Sequence, residues 1–262
     1  MNSVNKTLYI PLYGKSYVSR KGVILSDKWA EDIWEKEGFA LKGKSRSRWL
    51  AYYMGMRALR FDTWLGEKMA AWPEAVVLHI GCGMDSRVHR VGTDGHPWYD
   101  LDFPEVIEER KRYYTETEEY HMLPADVRSP SFLDALPRER PAIVVMEGVS
   151  MYLRPQELQQ LLQALCRHFS GVQLLLDCYT SFAARISRYK NPINDVGVTE
   201  VFGLDDPLSL EKGTGMAFVQ EHPMTPESAV CQLKGLEKWV FRRVYGGAIA
   251  RKMYRLYEYQ SL

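Results

Sequence analysis

The sequence predicts an α/β fold built on a doubly wound, mostly parallel sheet of seven strands. From residue 75 onward, short apolar runs alternate with stretches of helical periodicity, which is typical of βαβ units. A Gly81-Cys82-Gly83 turn joins the first apolar run to a helical stretch, and acidic residues stand at the ends of three later runs. Right-handed crossovers between such strands give the doubly wound order.

Seven segments have the length and apolar character of strands. They are residues 75–80, 98–102, 121–125, 141–147, 172–178, 216–221 and 254–259. Helical periodicity predicts helices at 85–91, 104–120 and 154–169. A further helix is expected between the last two strands. These two strands could add an antiparallel strand to the sheet.

The first 73 residues have a different texture. Prolines and glycines predict an irregular segment at residues 1–22. A short helix is expected to start after Ser26-Asp27, which is a suitable N-cap. Apolar residues at helical spacing then predict a long helix at residues 45–71, and Pro73 ends it.

Length and composition favour a single domain over residues 1–262. Hydrophobic residues make up 46% of the chain and charged residues 26%, which is close to the globular average. The segment 190–215 is rich in Gly, Asp, Asn and Pro, and we expect it to be a long loop that contacts substrate.

The overall charge excludes some classes of partner. The net charge is +1, which gives no reason to expect nucleic acid or an anionic membrane as the main partner. None of the four cysteines forms a CxxC pair, so no metal site is predicted. We find neither a signal peptide nor an apolar run of about 18 residues. These features predict a cytoplasmic protein with free cysteines.

The glycine turn and an acid 19 residues later are the first candidate site. Gly81 and Gly83 would let backbone approach a ligand closely, although they could equally form only a tight turn. Asp102 stands where an acid can accept hydrogen bonds from a ribose diol, but it could instead cap the helix that follows. Asp100 competes for the ribose role. We prefer Asp102 because it lies nearer the carboxyl end of its strand.

The pattern favours S-adenosylmethionine (SAM) over a dinucleotide. The third glycine that closes a helix on a pyrophosphate is missing after Gly83. Asp126 and Glu147 follow two further strands. Three acids at neighbouring carboxyl ends would suit a cofactor with a ribose, an ammonium and a sulfonium, although each acid alone could be a solvated loop residue.

Four sequence blocks, considered together, resemble a known family. They are residues 78–87, 99–107, 125–128 and 147–153, with 8–15 and 56–58 nearer the N-terminus. The chain is similar over residues 8–180 to the leucine carboxyl methyltransferase family, which includes protein phosphatase methyltransferases and bacterial enzymes of the polyketide carboxyl methyltransferase type. The resemblance implies a Rossmann-like class I methyltransferase fold in which residues 1–73 form a helical cover and residues 74–262 form the core.

The resemblance also implies roles for individual residues. Arg57 stands where the family binds the methionine carboxylate of SAM, and Lys15 where a lysine closes on the cofactor. Gly81 is the loop glycine and Asp102 the ribose-side acid. The remaining cofactor contacts are implied for Asp126 with Val127 at the adenine and for Glu147 at the methionine end. The chain departs from many methyltransferases at His79, where an acid is usual.

The expected function is transfer of a methyl group from SAM to an oxygen of a small molecule, with S-adenosylhomocysteine (SAH) as product. A carboxylate acceptor is ionised near pH 7 and needs no base, whereas a phenol would benefit from one. No histidine stands out as a base, which favours a carboxylate over a hydroxyl. Tyr152 could hold the acceptor oxygen or be a core aromatic. A non-catalytic SAM-binding protein and a dinucleotide-dependent oxidoreductase are the alternatives.

Overall fold

One mixed sheet organises the molecule. The computed structural model describes residues 8–38, 43–187 and 200–261. Within them the strand order is β3-β2-β1-β4-β5-β7-β6. The strands are β1 (Val76–Ile80), β2 (Trp98–Asp102), β3 (Tyr120–Pro124), β4 (Pro141–Met146), β5 (Gly171–Tyr179), β6 (Met216–Glu221) and β7 (Tyr254–Ser261). The predicted seven-stranded α/β sheet is therefore confirmed.

Helices cover the sheet and precede it in the chain. They are α1 (Tyr9–Arg20), α2 (Lys28–Glu37), α3 (Arg48–Ala71), α4 (Arg87–Val91), α5 (Pro104–Arg110), α6 (Pro155–His168), α7 (Ser181–Ser187), α8 (Glu227–Val230), α9 (Gly235–Val240) and α10 (Ala248–Arg251), with a π-helix at Phe241–Tyr245. The side chain of Asp27 accepts a hydrogen bond from the Ala30 amide, 2.9 Å away, so the N-cap predicted for α2 is confirmed. No helix in the described ranges is long and apolar enough to cross a membrane.

Strand order determines where a ligand can bind. β1 pairs in parallel with β2 on one side and with β4 on the other. The chain therefore winds away from β1 in both directions, and the crevice outside the carboxyl ends of β1 and β4 is the topological switch point. β7 pairs antiparallel with both β5 and β6, as the sequence suggested.

The prediction of an irregular N-terminus is wrong, because residues 9–20 form α1. Pro11 lies in the first turn of the helix, where its missing N–H has no intrahelical partner to lose. Gly14 faces α3: a Cβ there would lie 2.7 Å from Met54 Cβ. Gly55 faces back, and its Cβ would lie 2.8 Å from a Val18 methyl group. The two glycines thus let α1 and α3 pack closely.

The helix predicted at 104–120 is much shorter than expected, since α5 ends at Arg110. The hydroxyl oxygen of Thr117 accepts hydrogen bonds from the amides of Glu119 (3.3 Å) and Tyr120 (3.1 Å). A side chain that satisfies nearby amides in this way competes with helical bonding. Part of the predicted 190–215 loop lies outside the described residues, and residues 207–210 form a 3₁₀-helix.

Candidate active site

The glycine turn after β1 requires glycine for steric and conformational reasons. Gly81 and Gly83 have φ angles of 68° and 49°, in the left-handed region that other residues avoid. A Cβ on Gly81 would lie 2.1 Å from a Val149 methyl group. The turn is held by the Gly81 amide, which donates to the Leu101 carbonyl at 2.7 Å. These constraints leave the backbone of the turn exposed to the crevice at the switch point.

A cavity of about 780 Å³ opens at this crevice, within the size range of small-molecule sites. Every site residue predicted from the sequence lines it. These residues are Lys15, Arg57, Gly81, Gly83, Asp102, Asp126, Val127, Glu147 and Tyr152. The helices α1 and α3 contribute to its wall together with the carboxyl ends of the strands.

Asp102 faces the cavity, and Asp100 does not. The Asp102 carboxylate accepts hydrogen bonds from the amides of Gly83 and Phe103, each at 2.8 Å. Burial raises its pKa to about 6. Asp100 is fully buried in the middle of β2, where it accepts a hydrogen bond from Trp98 Nε1 (2.9 Å) and pairs with Arg110. Of the two carboxylates, Asp102 is thus the one that lines the cavity.

Arg57 is the centre of a buried charge cluster beside the carboxyl ends of β4 and β5. Its guanidinium lies 2.9 Å from Glu147 and 3.0 Å from Asp177, and it donates to the Tyr254 hydroxyl at 2.9 Å. Arg87 pairs with the second oxygen of Glu147. The two guanidinium groups hold the pKa of Glu147 well below its usual range despite burial.

Lys15 connects α1 to the residues just beyond the glycine turn. Its ammonium lies 3.1 Å from Asp85, and both side chains are buried. Asp85 also contacts Arg90 at 2.7 Å and Arg87 at 3.2 Å. These cations hold the pKa of Asp85 well below its ordinary value against the opposing effect of burial. The N-terminal helix is therefore tied electrostatically to the loop that borders the cavity.

Asp126 and Val127 lie at the β3 side of the cavity. The carboxylate of Asp126 is half-exposed and accepts a hydrogen bond from Arg128 Nε at 2.8 Å. That bond lowers the pKa of Asp126. The charge of Asp126 is thus shared with Arg128, a residue inside the block 125–128 that was given no role from the sequence.

His79 is a structural link between two charged groups. Its Nδ1 lies 3.1 Å from Asp100, and its Nε2 accepts from Arg87 at 2.9 Å. Burial lowers its pKa, so the ring is neutral. His79, which stands where an acid is usual, therefore helps to orient the Arg87 guanidinium.

The remaining half of the cavity is apolar and rich in tyrosine. Four tyrosines, here called the tyrosine arc, follow one another at ring-centroid separations of 5.0 to 6.3 Å. In order they are Tyr179, Tyr254, Tyr53 and Tyr245. Leu50, Met54 and Met151 line the same half. Tyr152 is half-buried beside it, between the cavity and the core.

Asp177, Tyr254 and Tyr179 belong to the charge cluster and the tyrosine arc but were not predicted as site residues. Asp177 had a usable signal, because it is an acid inside the most apolar strand, and a fully buried carboxylate needs a partner. Asp85 and Arg87 stood inside the motif that carried the family resemblance and were given no role. The two tyrosines had no local signal, since aromatic residues are common in strands.

The amino-acid sequence is similar to those of known methyltransferases. The profile of the family described as leucine carboxyl methyltransferase matches residues 9–166. The chain is 32% identical over 243 residues to the tetracenomycin polyketide synthesis O-methyltransferase TcmP of Streptomyces glaucescens, covering 92% of this chain and 90% of that protein. It is 31% identical over 151 residues to the S-adenosyl-L-methionine-dependent methyltransferase dpfgK of Gibberella zeae, covering 52% of this chain and 51% of that protein.

Solved structures show the same fold. Magnesium protoporphyrin IX methyltransferase ChlM from Synechocystis PCC 6803 with bound SAM superimposes with a TM-score of 0.52 at 11% identity, covering 95% of each chain. The form with SAH gives a TM-score of 0.51 and covers 95% of this chain and 97% of that one. The fold is thus that of the Rossmann-like class I methyltransferases, and by its sequence the chain belongs to the leucine carboxyl methyltransferase family.

Proposed function

We propose that this chain, a SAM-dependent O-methyltransferase, methylates the carboxylate of a small aromatic molecule. The observation that carries the proposal is the division of one cavity into two halves. A charged half surrounds the glycine turn, and an apolar half is bounded by the tyrosine arc. The two halves meet at Arg57 and Tyr254, which are 2.9 Å apart.

The charged half fits SAM. The glycine turn cannot carry a Cβ at Gly81, which leaves room for a ligand to lie against backbone. Asp102 would accept hydrogen bonds from the ribose, and Asp126 with Val127 would border the adenine. We assign the methionine end to Arg57 and Glu147. A planar guanidinium is suited to a carboxylate, and a glutamate to an ammonium.

The apolar half fits a flat aromatic acceptor. Stacked and edge-on ring contacts each add about 0.5–1.5 kcal/mol beyond the burial of apolar area, so four tyrosines favour a ring system over an aliphatic chain. Burial raises the pKa of Tyr53 and of Tyr254 above the ordinary value. Their phenols therefore stay protonated near neutral pH.

Among the described residues that line the apolar half, none is a suitable base, and this supports a carboxylate. When bound, SAM would supply a methyl group on its sulfonium sulfur. The acceptor oxygen would form a bond to the methyl carbon as the carbon–sulfur bond breaks, and the sulfur would leave as the neutral thioether of SAH. A carboxylate has no proton to lose, so the protein needs only to hold it in line. Among the described lining residues the one histidine is His79, which is already engaged by Asp100 and Arg87. TcmP, a relative named for polyketide synthesis, supports a small-molecule acceptor.

Two probes with the same ring system test the proposal. The protein is incubated with SAM and either 2-naphthoic acid or 2-naphthol, and methylated product is measured by mass spectrometry. We expect methyl ester from the acid, with a rate that changes little from about pH 6 to pH 9, because the carboxylate is ionised throughout. If the naphthol were methylated faster than the acid, at a rate that increases as the pH approaches the pKa of the naphthol, the acceptor group would be a hydroxyl and the proposal would be wrong.

A matched pair of variants tests the acceptor half. Tyr179→Leu should raise KM for the acid without changing SAH affinity, because Tyr179 lies in the tyrosine arc. Tyr99→Leu is the control, since Tyr99 stacks on His121 (4.9 Å) outside the cavity. Equal effects of both substitutions would show that the tyrosine arc does not hold the acceptor.

A further inference from the structure

A short region near the C-terminus has a charge very different from that of the chain as a whole. Residues 234–255 contain seven lysines and arginines and one acid, Glu237, whereas the whole chain has a net charge of only +1. Lys234, Arg243 and Lys252 form no ion pair within the described ranges. Arg243 is exposed on the π-helix, and Lys252 is exposed at the turn before β7. This region therefore presents unneutralised positive charge.

Large apolar side chains are exposed in the same region. Leu236 is 66% exposed, Trp239 58% and Val244 43%. The opposite side of this helical stretch is anchored by Phe241, which is fully buried and contacts Tyr52 at a ring-centroid distance of 5.7 Å. The stretch is thus fixed to the protein on one side and presents leucine, tryptophan and arginine on the other.

This surface is continuous with the opening of the active-site cavity. Val244 and Met253 line the cavity and are also exposed at its edge. Ile186 of α7 does both as well. An acceptor whose ring system is apolar can therefore contact this edge on its way into the cavity. A surface here can therefore control where the protein collects its acceptor.

We propose that Leu236, Trp239 and Arg243, together with Lys234 and Lys252, form a reversible docking surface for an anionic lipid membrane. Leu236, Trp239 and Arg243 follow one another at helical spacing and are exposed, and Lys234 before α9 and Lys252 before β7 are exposed as well. Exposed leucine and tryptophan beside cations are typical of segments that lie at the headgroup boundary. Anionic lipids attract each cation near the surface. Docking there would place the cavity edge next to the bilayer, into which the aromatic ring system of an amphipathic acceptor partitions. Membrane binding by this surface does not depend on the proposed function. Only the role of that binding in acceptor uptake rests on it.

The test is co-sedimentation of the full chain with vesicles. We expect binding to vesicles of phosphatidylcholine mixed with phosphatidylserine and little binding to phosphatidylcholine alone. Binding should weaken as salt is raised, because exposed charges are screened. Failure to sediment with the anionic vesicles would overturn the proposal. Binding to immobilised poly-L-glutamate but to neither vesicle would assign the surface to an acidic protein, and would also overturn it.

Charge-reversed variants locate the surface. Arg243→Glu with Lys252→Glu should weaken binding to the anionic vesicles at least 25-fold, at about fivefold for each cation lost. The matched control reverses Arg167 and Lys212, which are also exposed and form no ion pair in the described part of the chain, and it should bind as the wild type does. Equal binding by the two double variants would refute the location.

Two further measurements separate docking from loss of fold or of cofactor binding. Trp239→Ser should weaken vesicle binding about tenfold or more while all charges remain, because burying an indole contributes to membrane affinity. SAH affinity should be unchanged in every variant, since none of the altered residues lines the cavity. Every variant should also stay folded at the assay temperature, although reversing Arg167 in the last turn of α6 should lower Tm slightly. If Trp239→Ser binds vesicles as tightly as wild type, the apolar part of the surface is wrong.

Discussion

Replacement of Asp102 by asparagine should weaken cofactor binding and stabilise the protein at the same time. Burial raises the pKa of this carboxylate to about 6, from an ordinary value of about 3.9. The ionised form is therefore less stable in the folded protein than in the unfolded chain. Asparagine has nearly the same shape and removes the charge.

The size of both effects follows from the contacts of Asp102. A pKa raised by this amount corresponds to about 3 kcal/mol. The carboxylate accepts from two amides, and the single amide oxygen of asparagine satisfies one of them, which costs about 1 kcal/mol. We expect a net gain of about 1–3 kcal/mol in the free energy of unfolding at pH 8, or a rise in Tm of about 2 °C or more. Loss of a charge-assisted bond to the ribose should weaken SAH binding about 10- to 150-fold.

The pH dependence gives the sign of the effect independently. Because the folded-state pKa is raised, the ionisation penalty is small at about pH 4, develops as pH rises from about 4 to about 6, and stays constant above that. The variant should therefore have the higher Tm at pH 8. Near pH 4, where only the lost amide contact remains, its Tm should equal that of the wild type or fall slightly below it. Wild-type SAH affinity should fall as pH drops below about 6, and that of the variant should not.

Differential scanning calorimetry and isothermal titration of cofactor-free protein measure both quantities. Asp102→Ala is a useful companion, because it removes both amide contacts and should be less stable than the asparagine variant. A lower Tm for Asp102→Asn at pH 8, combined with wild-type SAH affinity, would show that the carboxylate is a structural cap and would refute its role at the ribose.

Three further predictions concern the cover and the cavity. Arg57→Lys should weaken SAH binding at least tenfold by titration calorimetry and lower Tm, because lysine cannot bridge Glu147 and Asp177; Arg60→Lys should change affinity less than about twofold, and equal affinities for both variants would remove Arg57 from the site. Lys15→Met should speed dissociation of bound SAH in a stopped-flow measurement, because α1 loses its tie to the loop, and an unchanged rate would contradict a closing role for the helix. SAH should raise Tm and NAD should not. At a hundred times its dissociation constant, SAH should add about 2.7 kcal/mol to the free energy of unfolding. Stabilisation by NAD and not by SAH would contradict the SAM site.

Features that depend on neighbouring residues were predictable. The alternation of apolar runs and helical stretches located all seven strands to within a residue or two. The glycine turn and the acids at strand ends followed because the carboxyl ends of parallel strands meet at one edge. The predictions failed where local signals misled, as at α1, which has a proline and a glycine that packing accommodates.

Contacts between distant residues were decided only by the tertiary structure. Arg57 meets Glu147 and Asp177 across 90 and 120 residues of sequence, and no local pattern specifies such a pair. The tyrosine arc joins α3, β5, β7 and the π-helix in the same way. The sequence determined by itself the sheet, the glycine turn and the acids at its edge, since periodicity and backbone sterics are local. Which charges neutralise one another, and which rings line the cavity, depend on how the helices pack on that sheet, because burial and Coulomb interactions act through space.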